Sequence, residues 1–129
     1  ISTLGNMVDF GNLTAGTRQG TGFSSSTRAI HAGGFDNSNK LNILDFVTIA
    51  STGNATDFGD MRFEASQRTG TGNSIRGIFA GGYISPTGRT TLIDQIEIAT
   101  TGNATAFGDL LTTTNYAGST SDSHGGLAE

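Results

Sequence analysis

Cysteine and tryptophan are absent from this 129-residue chain, and proline occurs once, at Pro86. Without cysteine there is no disulfide, no thiolate metal site and no cysteine nucleophile. The two histidines, His31 and His124, are too few for a histidine-rich metal centre within one chain. Neither a metal nor a cofactor is expected. Charge is scarce as well: seven Lys and Arg stand against eleven Asp and Glu, a net charge of −4. A nucleic-acid binder normally carries a basic patch, and none is visible. No polybasic block suits an anionic membrane surface, and no apolar run approaches the ~20 residues of a membrane-spanning helix.

Catalytic patterns are missing too. There is no G-x-S-x-G nucleophile elbow and no Walker sequence. Gly70-Thr-Gly72 continues into Asn-Ser-Ile, so the dinucleotide fingerprint fails at its third glycine. Asp36-Asn-Ser-Asn39 lacks the spacing and the bidentate Glu of an EF-hand loop. A glycosidase needs two suitably separated carboxylates in a cleft, and the acids offer no such pair. The chain is read as a non-enzyme.

What is plentiful is glycine, with twenty residues, together with Thr, Ser and Asn. Glycine without a collagen period, set among Val, Ile, Phe and Thr runs, points to many short strands joined by tight turns. A disordered Gly/Ser segment would share this composition, but here the apolar runs recur at fixed phase. Thr52-Gly-Asn-Ala-Thr-Asp-Phe-Gly-Asp60 returns with one change as Thr101-Gly-Asn-Ala-Thr-Ala-Phe-Gly-Asp109, and Leu4 to Asn12 is a looser copy. Phe10, Phe58 and Phe107 lie 48 and 49 residues apart. A constant period of this size marks repeat architecture, in which the core forms between neighbouring units.

Taken in order, Asn6 to Leu13 reads as a strand, with Val8 and Phe10 on one side. Residues 17–34 read as two short strands joined by the Ser24-Ser-Ser26 turn and closed by Gly33-Gly34. Residues 35–41 form a polar loop. Asn42 to Ala50, β-branched and aromatic without a breaker, reads as a strand buried on both faces; a buried helix is the competing reading. Arg76, Ile78, Ala80, Gly81 and Gly82 repeat Arg28, Ile30, Ala32, Gly33 and Gly34 at an interval of 48. The loop from Tyr83 to Thr91 is one residue longer than its counterpart. The predicted division is an outer strand at 1–13, full units at 14–61 and 62–110, and two strands of a further unit at 111–129.

A repeat of about 50 residues, with four short strands and Gly-Gly closing the second, resembles the kelch type of β-propeller blade. Ile30-His-Ala-Gly-Gly34 with Phe35, and Ile78-Phe-Ala-Gly-Gly82 with Tyr83, carry the likeness. The Thr-Gly-Asn-Ala-Thr-Asp-Phe-Gly-Asp phrase resembles kelch-like repeats of phage virion and tail-associated proteins, notably of marine cyanobacterial phages. The conserved kelch tryptophan is missing, and Gly125 stands where the third copy should carry its Arg. The resemblance implies an all-β, kelch-like propeller of four-stranded antiparallel blades, roughly 2.7 of them per chain. Kelch-like copper oxidases need a cysteine-modified tyrosine, so that activity is excluded here.

Within such blades Gly33, Gly34, Gly81 and Gly82 would allow close approach near the axis. Phe10, Phe58 and Phe107 would fill the space between units, and Asn and Thr of each phrase would close a turn. An ion pair within each unit, Arg28 with Asp45 and Arg76 with Asp94, is expected. The function implied is structural or recognition work on a virion, with loops presented to a host-surface glycan or a protein; a secreted, extracellular lectin-like propeller is the alternative. Lys40, Tyr83 and Arg89 are the ligand-contact candidates, since loop cations and aromatics suit anionic and stacked sugars. An incomplete ring exposes unpaired strand edges. Further copies of the chain, or further repeats of a longer parent, are therefore expected partners.

Overall fold

A computed structural model describes residues 5–121, and the regular structure among them is antiparallel β throughout. β1 (Thr21–Ser24), β2 (Arg28–Phe35), β3 (Lys40–Thr48) and β4 (Thr56–Ser66) pair in sequence as one meander. β5 (Thr69–Gly72), β6 (Arg76–Ala80), β7 (Tyr83–Ile84), β8 (Gly88–Glu97) and β9 (Thr105–Thr114) follow. Of these, β5, β6, β8 and β9 make a second meander, while β7 ties the end of β4 to the start of β8. The sheet nearly closes on itself into a barrel-like shape. β1 comes to lie against β5, and Phe23 stacks on Phe79 of β6 with ring centroids 6.0 Å apart.

The sequence period is also a period of hydrogen bonding. Thr21 faces Ala32 as Thr69 faces Ala80, Ala32 faces Leu44 as Ala80 faces Ile93, and Leu44 faces Gly59 as Ile93 faces Gly108. Even the ladder irregularities recur, at Leu44/Asp45 and at Ile93/Asp94. The first hairpin turns as expected: Ser25 Oγ accepts the N–H groups of Thr27 (3.3 Å) and Arg28 (3.2 Å). In the second unit Asn73 Oδ1 takes the N–H groups of Ile75 (2.9 Å) and Arg76 (2.7 Å). Both are side-chain-to-backbone turns that leave the flanking residues free to pair.

Several boundaries differ from the sequence reading. Residues 6–13 form no strand; Phe10 and Asn12 tether the segment to Gly53, Asn54 and Ala55. The loop expected at 83–91 is mostly strand, because β7 and β8 pair directly, Tyr83 facing Arg89 and Ile84 facing Gly88. The 35–41 loop shrinks to a tight turn in which Asp36 Oδ1 accepts the N–H groups of Ser38 and Asn39. β4 and β9 run across the expected unit boundaries at 61/62 and 110/111. Residues 115–121 carry no strand, and His124, Gly125 and Leu127 lie outside the described residues.

The Gly-Gly pairs work as steric permits. Gly81 has φ of 60°, and a Cβ there would sit 2.8 Å from the Thr114 carbonyl oxygen. Its counterpart Gly33 has φ of 61° and would meet the Ala65 carbonyl oxygen at 2.6 Å. A side chain would be strained and crowded at either position.

Packing gathers on the inner face. Leu44, Phe58, Met61, Ala65, Phe79, Ile96 and Ile98 form one buried cluster drawn from both units. Phe58 meets Phe46 edge-on with centroids 6.0 Å apart. The interval of 48 and 49 residues does not equalise these phenylalanines, however. Phe58 is 2 % exposed, whereas Phe10 is 38 % and Phe107 50 % exposed. Among the described residues Phe58 is the one with a complete unit on either side.

The expected ion pairs do not form. The Arg28 guanidinium lies 4.6 Å above the Phe46 ring and donates from Nη1 to the carbonyls of Ile98 and Ala99, both at 2.9 Å. Arg76 lies 5.9 Å from the Phe107 centroid. Asp94, fully buried, is instead held by Arg68 Nη1 at 2.6 Å and Arg62 Nη1 at 2.9 Å. Asp45, also buried, accepts from Thr14 Oγ1 at 2.7 Å. The two units therefore solve one problem, a buried carboxylate in the second inner strand, with different side chains. Where the second unit has Arg62 and Phe79, the first has Thr14 and His31, and Gly20 leaves room for the His31 ring. Register alone brings His31 opposite Asp45, as it brings Phe79 opposite Asp94.

Candidate functional site

Two of the three loop residues singled out from sequence come together. Lys40 opens β3, where it faces Phe35 across the hairpin, and Tyr83 opens β7. Because β7 pairs with the end of β4, Tyr83 is carried alongside the first unit. Lys40 Nζ then rests 4.8 Å from the Tyr83 ring centroid and 3.4 Å from Ser85 Oγ. Nearby, Arg18 exchanges backbone hydrogen bonds with Phe35 (3.1 and 2.8 Å), and its guanidinium lies 5.1 Å from the Phe35 centroid. Arg18, Gln19, Phe35, Lys40, Ser66, Gln67 and Tyr83 line one open cleft of about 260 Å³. Arg89 is the cross-strand neighbour of Tyr83 but is not part of the lining.

Gln19 and Gln67 of the cleft lining belong to a row of hydrogen-bonded residues that continues to Tyr116. Gln19 and Gln67 adopt left-handed backbone, with φ of 62° and 60°, and Tyr116 repeats this at 53°. The Gln67 N–H donates to the Gln19 carbonyl at 2.8 Å, and the Tyr116 N–H to the Gln67 carbonyl at 3.1 Å. Side chains run alongside: Gln19 Nε2 donates to the Tyr116 hydroxyl at 3.1 Å, and Asn115 Nδ2 to Gln67 Oε1 at 2.8 Å. This row links the first unit to the second beside the cleft.

Chemically the cleft offers two cations resting on two aromatic rings, flanked by amide donors and acceptors. Such pairs hold a cation in place without neutralising it, so both charges stay available to an anion. The half-exposed Tyr83 face suits stacking against a sugar ring. Asp36, at the adjoining turn, has its carboxyl held below the ordinary range by the backbone N–H groups of Asn39 and Ser38. Among the described residues no group of three His, Asp or Glu side chains gathers as a metal site. Sequence reasoning missed Arg18, Phe35, Gln19 and Gln67. The available signal was phase, since Phe35 and Gln19 stand 48 residues before Tyr83 and Gln67. Comparison with protein-family models and with curated proteins finds no match to this chain.

Proposed function

We propose that this chain is a non-enzymatic recognition module built of kelch-like propeller blades in an incomplete ring, and that its Lys40–Tyr83 cleft binds an acidic glycan. The observation that carries the reading is Lys40 poised 4.8 Å over Tyr83 in a cleft that also holds Arg18 on Phe35. Two fixed cations select for carboxylate or sulfate groups, and the aromatic faces take the apolar side of a pyranose. Two four-strand meanders with one shared register support the propeller, because blades are copies of a single supersecondary unit. The resemblance of the Thr-Gly-Asn-Ala-Thr phrase to phage repeats supports a place on a virion, with the cleft turned to the host surface. Virion genes beside its reading frame would support that placement; without them a secreted lectin-like propeller is the better reading.

A glycan array carrying uronic-acid, sialylated, sulfated and neutral sugars tests the ligand class. Acidic glycans should be retained, and Lys40→Ala or Tyr83→Ala should each weaken retention about tenfold or more, as truncation of a central contact does. Retention of neutral sugars only, or variants that bind like the parent, would refute the assignment.

A further inference from the structure

The repeated phrase has a task that the ladder alone does not explain. In the second unit the Gly102 N–H donates to the Phe58 carbonyl and the Ala104 N–H to the Asp60 carbonyl, both at 2.8 Å. Between them Asn103 Oδ1 accepts the Asp60 N–H at 3.0 Å. The Gly-Asn-Ala segment of one unit thus lies along the Phe-Gly-Asp edge of the preceding unit, its Asn side chain standing in for the carbonyl of a parallel ladder. The same three bonds recur one unit earlier. The Gly53 N–H meets the Phe10 carbonyl (2.8 Å), the Ala55 N–H meets the Asn12 carbonyl (2.8 Å), and Asn54 Oδ1 accepts the Asn12 N–H (3.0 Å). Asn therefore does not close its own turn, as the sequence suggested; it reaches across the joint. The edge glycine is required there, since a Cβ on Gly59 would lie 2.5 Å from the Gly102 carbonyl oxygen, and one on Gly11 would strike that of Gly53.

Among the described residues a third acceptor edge and a third donor segment are both open. Phe107-Gly108-Asp109 has the register of Phe58-Gly59-Asp60, yet a Cβ on Gly108 meets nothing within 4 Å. Gly5-Asn6-Met7 has the sequence place of Gly53-Asn54-Ala55, and Met7 is 100 % exposed. The inner row is open at the same two places. Among the described residues the Gln19 N–H has no acceptor and the Tyr116 carbonyl no donor. Gly5 and Gln19 are spaced along the chain as Gly53 and Gln67 are, so a single displacement fills both joints together. A hollow of about 460 Å³ beside Arg76, Ile78 and Phe107 lies on this open face. Its first-unit counterpart is where Arg28 reaches the Ile98 and Ala99 carbonyls.

We infer that a second copy of this chain docks its Gly5-Asn6-Met7 segment on the Phe107-Gly108-Asp109 edge, repeating the internal joint between molecules. The contact is heterologous, so a docked pair keeps one free segment and one free edge, and assembly ends in a ring or an open chain. The inference rests on the repeat-array part of the proposed function and is independent of the glycan.

Sedimentation of the 129-residue chain without glycan, over a range of concentrations, tests it. The average mass should rise above 13.2 kDa with concentration. Gly108→Val should weaken association about tenfold or more, as blocking the centre of an interface does. Space around Gly108 is open and its φ lies outside the glycine-favouring region, so its circular dichroism and unfolding midpoint should match the parent's. Asn6→Ala, in a segment outside the strands, should also weaken association. Mixing the two variants should restore a dimer and nothing larger, because each keeps the half-joint that the other lacks. A parent that stays at 13.2 kDa throughout, a Gly108→Val variant that associates like the parent, or variants that fail to complement would overturn the inference. Glycan retention on the array is read separately, so failure of assembly and failure of the cleft assignment are distinguishable.

Discussion

Replacing Arg68 by alanine should be the most damaging single change in the second unit. Its guanidinium is almost fully buried and makes four polar contacts. These run to Asp94 Oδ2 at 2.6 Å and to the carbonyls of Gly81 (3.0 Å), Phe79 (3.1 Å) and Leu92 (2.9 Å). It also lies 4.8 Å from the Phe79 ring centroid. Burial pulls its pKa down, while the bond and charge of Asp94 oppose this; an arginine under that pull stays protonated. Arg68→Ala leaves a carboxylate of zero exposure with one remaining partner, Arg62, whose side chain is 32 % exposed. Removing one side of a buried pair costs about 3–5 kcal/mol. Removing the solvent-screened Arg62 should cost about 1 kcal/mol. Against a total stability of roughly 5–15 kcal/mol, the first loss is severe and the second is tolerated. Urea unfolding with an unchanged m value would measure both. Arg68→Ala combined with Asp94→Ala should cost less than the sum of the single changes, by about 0.5–3 kcal/mol. Additive effects, or an Arg62 variant as damaged as the Arg68 variant, would refute the claim that Arg68 is what makes a buried Asp94 tolerable.

The joint between units gives two smaller effects, read by the same unfolding assay. Asn103→Ala strips the acceptor from the Asp60 N–H and should cost about 1 kcal/mol, while Gly59→Ala drives a Cβ toward the Gly102 carbonyl and should cost about 1–3 kcal/mol. A pH effect should trace to His31, whose pKa is lowered by burial with Asp45 opposing. Its folded pKa lies below the unfolded one, so the unfolded chain takes up the proton first, and stability falls as pH drops below the ordinary histidine value of about 6.5. Unfolding midpoints from pH 7.5 to 5 should show that slope, and His31→Phe, the residue of the second unit, should flatten it. A slope unchanged in the variant would assign it to other groups.

The all-β class, the interval of 48 and 49 residues and the location of the principal strands were legible because each rests on local pattern. Ser25 and Asn73 sit at turn positions, β3 is β-branched and aromatic, and Gly33 and Gly81 need a left-handed backbone. The Phe-Gly-Asp phrase could be recognised as a repeat, but not as a docking edge, because the bonds it makes join residues over 40 positions apart.

Partner choice was decided by the tertiary structure. Arg28 and Asp45 share a phase, as do Arg76 and Asp94, which made pairing attractive on paper. Yet Arg28 stacks on Phe46 and reaches the carbonyls of the next unit, and Asp94 is served by Arg62 and Arg68. Pairing within the first unit sets Arg18 and Lys40 beside Phe35, but chain order did not place Tyr83 with them; the β4–β7 pairing did, by carrying the second unit's edge over the first. Periodicity fixes which residues are equivalent. Which of them touch depends on how one unit is displaced against the next, and that displacement is set by the Gly-Asn-Ala joint and the row from Gln19 to Tyr116.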